Sequence, residues 1–431
     1  MTPDDAPPPD DESAPPSLGR TREELADYLL EIGATLAAYG CPSYRLEDVI
    51  REVAAIEGHR AEPFALPTGL FLRVTPKGSS LGDVQSRAPE VHRMKRLWAG
   101  AIDLGRLAEV DRIFNQVAAR ELDIHRARVA IREVVARPPR YGAFAMWCAS
   151  VVLSATAAVS FRGRLVDVGA SAVAGGVVGA TGLALSRRAS ARLLFDFLAA
   201  FLVTLVAWSA LRVAPWASPE VIVLSGAISL FPGMILTTGV AEITQKNLVS
   251  GGARMMEALV TLLLLSFGVA LAAGLGELAH VQLPPSTERV GLGTAAQLVA
   301  LFAASTSFAV LFQVPRRDYW TAIASGATGW VVSTFAARHL PSHISAFLSA
   351  FAVSMLANGL ARRTSRPAQL FQLPGMMLLV PGSFGFLSFS DFLRGDVVHG
   401  VSRAFSMMLV GVALVIGLLL ANAVLPARKL L

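Results

Sequence analysis

Charge, lysine and cysteine are all scarce in this chain. Only 16% of its 431 residues are charged, against about 25% in a typical soluble domain, while 53% are hydrophobic and the mean hydropathy is +0.53. That balance excludes an ordinary soluble protein and points to a membrane protein. The two cysteines, Cys41 and Cys148, fall in different parts of the chain. They form no disulfide framework and no zinc pattern, and read as buried, inert thiols. None of the four lysines (Lys77, Lys95, Lys246, Lys429) follows a glycine, so there is no Walker A phosphate loop and no sign of an ATP-driven pump. The hydrolase signatures G-x-S-x-G and H-E-x-x-H are missing too, and no catalytic residue is assigned. His339 and His343 have the spacing of metal ligands, but Pro341 between them breaks the helix that would align them. No metal or cofactor is expected. The net charge of +6 does not imply nucleic acid, because the arginines of the apolar part sit mainly at the ends of its segments.

What is present divides into unlike parts. Residues 1–17 are acidic and proline-rich, lack the basic and apolar regions of a signal peptide, and read as a disordered tail. Residues 18–140 read as a small α+β domain. Leu25, Leu29, Ile32 and Leu36 recur at helical spacing, and Leu46, Val49, Ile50 and Val53 mark a second helix. Leu70, Leu72 and Val74 alternate as in a strand between Pro63 and Pro76, and "LPTG" (Leu66 to Gly69) reads as a turn into it. Further helices are expected over 90–104, 107–117 and from Ile124 toward Arg140.

Beyond residue 140 the chain offers ten apolar segments near the ~20 residues that span a bilayer. They are 141–159, 165–185, 192–213, 219–240, 252–276, 290–313, 318–337, 341–361, 368–389 and 402–425. With a cytoplasmic N-terminal domain, twelve basic residues fall in inner loops or the C-terminus and seven in outer loops. That bias predicts both termini in the cytoplasm.

The membrane part also repeats itself. "LFPGMILTTGVAE" (Leu230 to Glu242) overlays "LVPGSFGFLSFSD" (Leu379 to Asp391) after a shift of 149 positions. Pro232 meets Pro381, Gly233 meets Gly382 and Glu242 meets Asp391. Gly251 then meets Gly400, Arg254 meets Arg403 and Gly268 meets Gly417, while Gly176 and Gly179 match Gly326 and Gly329 with one residue of slack. Two five-helix units, 141–276 and 290–425, follow. An odd number of spans per unit sets the second upside down relative to the first, a recurring design of secondary transporters. The expected fold is therefore an α-helical polytopic membrane protein of ten helices in two inverted repeats, with the α+β domain at its N-terminus.

Proline inside a membrane helix frees a backbone carbonyl, which must face protein or water. Broken helices expose groups for both ends of a small zwitterion such as an amino acid: free carbonyls for an ammonium, half-helix N-termini for a carboxylate. Pro232, Gly233, Thr237, Thr238, Pro381, Gly382 and Ser383 are the expected substrate-binding set, with Ser388 a further candidate hydroxyl. Glu242, Glu257 and Asp391 are candidates to carry a proton, since intramembrane carboxylates are costly without a use. Arg254 and Glu257 are three residues apart and are expected on one helix face. Asp196 and Asn358 read as helix–helix glue.

The stretches "GCPSYRLEDVIREVAAIEG", "ALPTGLFLRV" and "LFPGMILTTGVAEITQKNLVSGGARMMEAL", with "LVPG" heading the second half, resemble the threonine/serine exporter (ThrE) family over residues 22–425. The resemblance implies a ten-helix exporter of threonine and serine in a bacterial inner membrane, driven by the proton motive force. By motif match Pro232, Gly233, Glu242, Asn247, Gly251 and Arg254 fall on characteristic positions, and Asn247, Gly251, Arg254, Gly400 and Arg403 are expected to shape or gate the site. The family commonly has aspartate where this chain has Glu242. The expected partners are a small amino acid, protons and lipid, in a monomer or an oligomer. A membrane sensor with the N-terminal domain as its output is the alternative. It would not require broken helices in both repeats.

Overall fold

A computed structural model describes residues 22–76, 90–98, 100, 102–186, 189–278, 291–364, 366–379, 382–393 and 395–427. The expected tail 1–17 lies outside them, as does Pro381.

The N-terminal part begins with helices α1 (Arg22–Ala38) and α2 (Ser43–Ile56). All eight apolar residues predicted to line them are buried. They cover a three-stranded antiparallel sheet, β1 (His59–Leu66), β2 (Gly69–Pro76) and β3 (Val91–Arg96), in the order β1-β2-β3. Leu66 pairs with Gly69 across a two-residue hairpin turn at Pro67 and Thr68, and Ala61 faces Val74. Leu70, Leu72 and Val74 point into the helices. Gly33 of α1 makes room for Leu70, since a Cβ would lie 2.7 Å from the Leu70 Cδ2. The helix expected over 90–104 is not formed. Residues 91–96 are instead the edge strand β3, held by its pairing to β2 rather than by any apolar pattern of its own.

Two helices complete this part, α3 (Leu104–Ala118) and α4 (Ile124–Ala136), each capped by an aspartate, Asp103 and Asp123. Glu31 of α1 clamps α4 through Arg128 at 3.0 Å and Arg132 at 2.7 Å. Burial works to raise the Glu31 pKa, but the hydrogen bonds from Arg132 and Arg128 outweigh it and hold the carboxyl below its usual range.

The remainder is helical: α5 (Ala143–Ser160), α6 (Leu165–Leu185), α7 (Ala189–Arg192), α8 (Phe195–Val213), α9 (Pro219–Gly226), α10 (Gly233–Thr244), α11 (Leu248–Leu278), α12 (Thr294–Leu311), α13 (Tyr319–Ala336), α14 (Ser342–Thr364), α15 (Ala368–Met377), α16 (Gly382–Leu393) and α17 (Val397–Val424). Among the described residues eight stretches are long and apolar enough to cross a membrane, with Ala368–Leu393 counted as one. A ninth is the broken pair α9 and 228–244, bent by 42°. The one predicted segment left over, 318–337, forms α13, which is not among them.

Several local devices occur twice. α5 and α12 end alike: Arg162 and Gln313, 151 positions apart, both take a left-handed backbone, with φ of 59° and 56°. The next amide, of Gly163 or Val314, returns to the carbonyl of Ala158 or Ala309 at 2.8 Å. Gly268 lets α11 approach α8 so closely that a Cβ would lie 2.4 Å from the Phe197 carbonyl. Gly417 does the same for α17 and α14, 2.6 Å from the Phe347 carbonyl. Gly175 and Gly326 each accommodate a serine hydroxyl from the preceding helix, Ser154 and Ser305. Contacts thus pair Gly326 with Gly175 rather than with Gly176.

The N-terminal part touches both halves of the helical region. Leu104 donates its backbone N–H to Phe312 at 2.9 Å, and Gly105 packs on the Gln313 carbonyl. On the first half, Ser43 meets Glu242.

Candidate functional site

The break in "LFPGMILTTGVAE" is real, but it is a helix start more than a mid-helix kink. Phe231 is extended, as a residue before proline prefers, and Pro232 is the N-cap of α10. The helix begins at Gly233. In the second motif α16 begins at Gly382, and a Cβ there would lie 2.8 Å from the Phe231 Cβ and 3.5 Å from the Gly233 nitrogen. The starts of α10 and α16 therefore abut. Phe231 stacks on Phe386, their ring centroids 5.2 Å apart, and fills the crossing.

The other end of α10 carries the polar centre. Glu242 is fully buried, with 0% exposure. Its Oε1 accepts the backbone N–H of Ser43 at 2.9 Å. Its Oε2 accepts Ser250 Oγ at 2.9 Å and Arg254 Nε at 3.0 Å. Ser43 Oγ and Ser250 Oγ lie 2.6 Å apart. The carboxylate sits at the N-terminus of α2, where helix amides favour negative charge. Asn247 reaches Glu47 at 3.4 Å. Gly251 is forced by contact, because a Cβ would lie 2.6 Å from the Gly239 carbonyl.

The end of α16 is built alike but more simply. Asp391 accepts Arg403 at 3.1 Å, and Ser388 Oγ donates to the Gly400 carbonyl at 2.6 Å. After each acidic residue the chain turns through a positive φ, 69° at Lys246 and 80° at Gly395. The amide that follows bonds back to the carbonyl of Glu242 or Asp391. Glu257 does not join this centre. It is exposed on α11, close enough to Asp196 for their charges to interact, while Arg254 turns to Glu242. Asn358 bonds Asn422 and the Leu425 carbonyl, tying α14 to the end of α17.

Between α10, α15 and α17, under the start of α2, lies a cavity of about 60 Å³. Of the expected binding set Thr237 and Thr238 line it, beside Met234, Tyr44, Arg45, Gln369 and Gln372. Pro232, Gly233 and Gly382 lie at the helix starts below it. Ser383 is half-buried and outside the lining. Tyr44 also lines an open cleft of about 610 Å³ between the N-terminal part and the Gln245–Ser250 turn, so the cleft and the cavity share this residue.

Sequence reasoning missed Gln369 and Gln372, which carry no motif. It also missed two buried carboxylates 151 positions apart. Asp167 accepts the Ser218 amide at 2.7 Å, and Asp318 pairs with Arg366. The repeat itself was the signal that connected them.

Profile comparison settles the lineage. Residues 27–276 match the ThrE family of threonine/serine exporters, and 297–424 match the related ThrE_2 threonine/serine exporter family. The chain belongs to the ThrE family. Among curated relatives, an uncharacterized protein of Schizosaccharomyces pombe is 26% identical over 390 residues, 88% of this chain and 49% of the relative. Pheromone-regulated membrane protein 10 of Debaryomyces hansenii is 24% identical over 381 residues, 85% of this chain and 36% of the relative. The protein of that name in Yarrowia lipolytica is 24% identical over 378 residues, 82% of this chain and 29% of the relative. The chain thus spans half or less of the length of these relatives. No solved structure matches it.

Proposed function

We propose that this ThrE protein is a secondary transporter that exports small hydroxy amino acids, threonine or serine, across a bacterial inner membrane under the proton motive force. The observation that carries the reading is the cavity beside the broken helix α10, which shares Tyr44 with an open cleft. A small, mainly apolar cavity with a few polar side chains beside an interrupted helix fits the substrate sites of alternating-access transporters. Thr237 and Thr238 supply hydroxyls to the substrate side chain, and the helix starts at Pro232 and Gly233 and at Gly382 and Ser383 favour its carboxylate; Pro381, by its sequence match to Pro232, belongs to the same proposed set.

Ten spans in two inverted five-helix repeats, with both termini cytoplasmic, are part of this reading. The duplicated helix ends at Arg162 and Gln313 and the duplicated contacts of Gly268 and Gly417 support it. Glu242, Glu257 and Asp391 are the candidates for proton coupling. Glu242 and Asp391 each have an arginine partner, Arg254 and Arg403, at 3.0 Å. Asn247, Gly251, Gly400 and Arg403 shape these two helix ends.

The test is reconstitution in vesicles with radiolabelled threonine, with and without a pH gradient. Gradient-dependent flux that loses its coupling in Glu242→Gln, Glu257→Gln or Asp391→Asn supports the reading. Unchanged coupling in all three removes the carboxylates from the mechanism. Threonine binding with no flux for any small amino acid would favour a sensor, for which the direct Ser43–Glu242 bond offers a route to the N-terminal part.

A further inference from the structure

A basic cleft opens where the N-terminal part meets the start of α5 and the end of α12. Its volume is about 600 Å³, and Glu109, Arg140, Tyr141, Pro315, Arg316 and Arg317 line it. Both helices are long and apolar enough to cross a membrane, and the three arginines lie just outside their ends. The cleft therefore sits at the boundary between membrane and water. Its walls are pinned together. The Tyr141 hydroxyl donates to the Val314 carbonyl at 2.8 Å, and the Tyr141 amide donates to Gln313 Oε1 at 2.8 Å. Arg140 and Arg316 are thus carried on two segments held against each other.

The nearby carboxylates are already engaged. Glu109 holds Arg137 at 2.7 Å and Arg140 only at 3.8 Å. Asp318 holds Arg366 and reaches Arg317 only at 3.7 Å. Asp103 pairs with Arg106 at 3.4 Å. Arg316 forms no ion pair among the described residues. Three guanidiniums therefore face one cleft with loose pairing or none, and a guanidinium fork suits the oxygens of a phosphate. Exposed rings stand close by in sequence. Phe144, four residues after Arg140, is 76% exposed, and Trp320, four after Arg316, is 51% exposed. A tryptophan at the edge of a membrane helix sits at headgroup level.

We propose that this cleft binds the headgroup of an anionic phospholipid, with Arg140, Arg316 and Arg317 around the phosphate and Phe144 and Trp320 toward the acyl chains. Basic pockets between membrane helices take such headgroups. A soluble anion would use the arginines alone, so the two exposed rings favour a lipid. The bound lipid would seal the junction beside the Leu104–Phe312 contact. The inference is independent of what the helices transport.

The test uses the purified full-length protein in neutral detergent. Native mass spectrometry with equimolar phosphatidylglycerol and phosphatidylcholine should show wild type retaining the anionic lipid, since choline brings a cation toward the arginines. Arg316→Gln breaks no ion pair and should weaken phosphatidylglycerol binding about tenfold, the effect of losing one charge-assisted hydrogen bond. Arg363→Gln, at an exposed position near the end of α14, should leave binding unchanged. Melting temperatures without lipid should match wild type, which separates lipid binding from folding. Should Arg316→Gln melt lower, Arg317→Gln, at a side chain 75% exposed, gives the same reading. Equal retention of both lipids by wild type would overturn the proposal. So would unchanged binding in the cleft variants, or an equal loss in Arg363→Gln. Displacement of phosphatidylglycerol by millimolar inorganic phosphate would also overturn it, and would assign the cleft to a soluble anion.

Discussion

Ser43 and Glu242 are 199 residues apart in the chain and joined by a 2.9 Å hydrogen bond from a backbone amide to a carboxylate. The bond fastens the first turn of α2 to the end of α10. Because Glu242 is fully buried and also holds Ser250 and Arg254, removing it strands three donors at once. Glu242→Ala should cost about 3–5 kcal/mol, the range for breaking one partner out of a buried charge pair. Ser250→Ala removes one of the three bonds to Glu242 together with the Ser43 hydroxyl contact, and should cost about 1–2 kcal/mol. Thermal unfolding in detergent reads both, and equal losses would mean that Glu242 is not the hub of this interface.

Glycines in this region separate contact from flexibility. At Gly251 a Cβ would press on backbone, the Gly239 carbonyl at 2.6 Å and the Ile243 amide at 2.9 Å. At Gly252 it would meet nothing within 4 Å. Gly251→Ala should therefore lose about 1–3 kcal/mol, whereas Gly252→Ala should be neutral or slightly stabilising, since alanine favours a helix. Gly400, the counterpart of Gly251, faces the Phe392 ring at 2.5 Å, a side chain that can turn aside. Gly400→Ala should fall between the two. The order of the three melting temperatures is the test, and a Gly251→Ala variant as stable as Gly252→Ala would refute it.

Much of this fold was legible because its signals are periodic. Leu25 to Leu36 and Leu46 to Val53 announce two helices by spacing alone, and each of those residues is buried. The 149-residue shift exposed the Glu242–Arg254 and Asp391–Arg403 pairs, since partner and spacing are copied together. Strand β3 was illegible because "VHRMKR" has charge along most of its length and owes its conformation to β2. Ser43 and Gln369 were illegible for a different reason. Their roles depend on what lies across a tertiary contact, and a serine at a helix start or a glutamine in an apolar segment says nothing of that by itself.

Glu31 gives a pH-dependent contribution in the N-terminal part. Its folded pKa is lowered by the Arg132 and Arg128 hydrogen bonds against the effect of burial. The sign follows from linkage: the contribution is complete above the unfolded value of about 4.3 and is lost as pH falls through the folded value. Glu31→Gln should therefore weaken hydrogen-exchange protection of α1 and α4 at pH 7 by about 0.5–1 kcal/mol, the upper range for partly exposed pairs. Below the folded pKa the difference from wild type should vanish. A deficit that is the same at pH 3 as at pH 7 would assign the effect to packing instead.

Cys41 offers a reporter for the same interface that Ser43 holds. It is buried two residues before Ser43, its thiol lies 3.7 Å from the Pro42 carbonyl, and burial pushes its pKa up to about 12. The thiolate is the reactive species, so at pH 8 the thiol is both shielded and protonated. In a Cys148→Ser background iodoacetamide should leave Cys41 unmodified in the folded protein at pH 8 and label it promptly in denaturant. Labelling should also accelerate in Glu242→Ala, because loss of the Ser43 anchor frees the segment that buries the thiol. Rapid labelling of the folded parent at pH 8 would contradict the burial. Slow labelling in both proteins would show that the start of α2 stays seated without Glu242, with the N-terminal part still anchored through the α3 contact of Leu104 with Phe312.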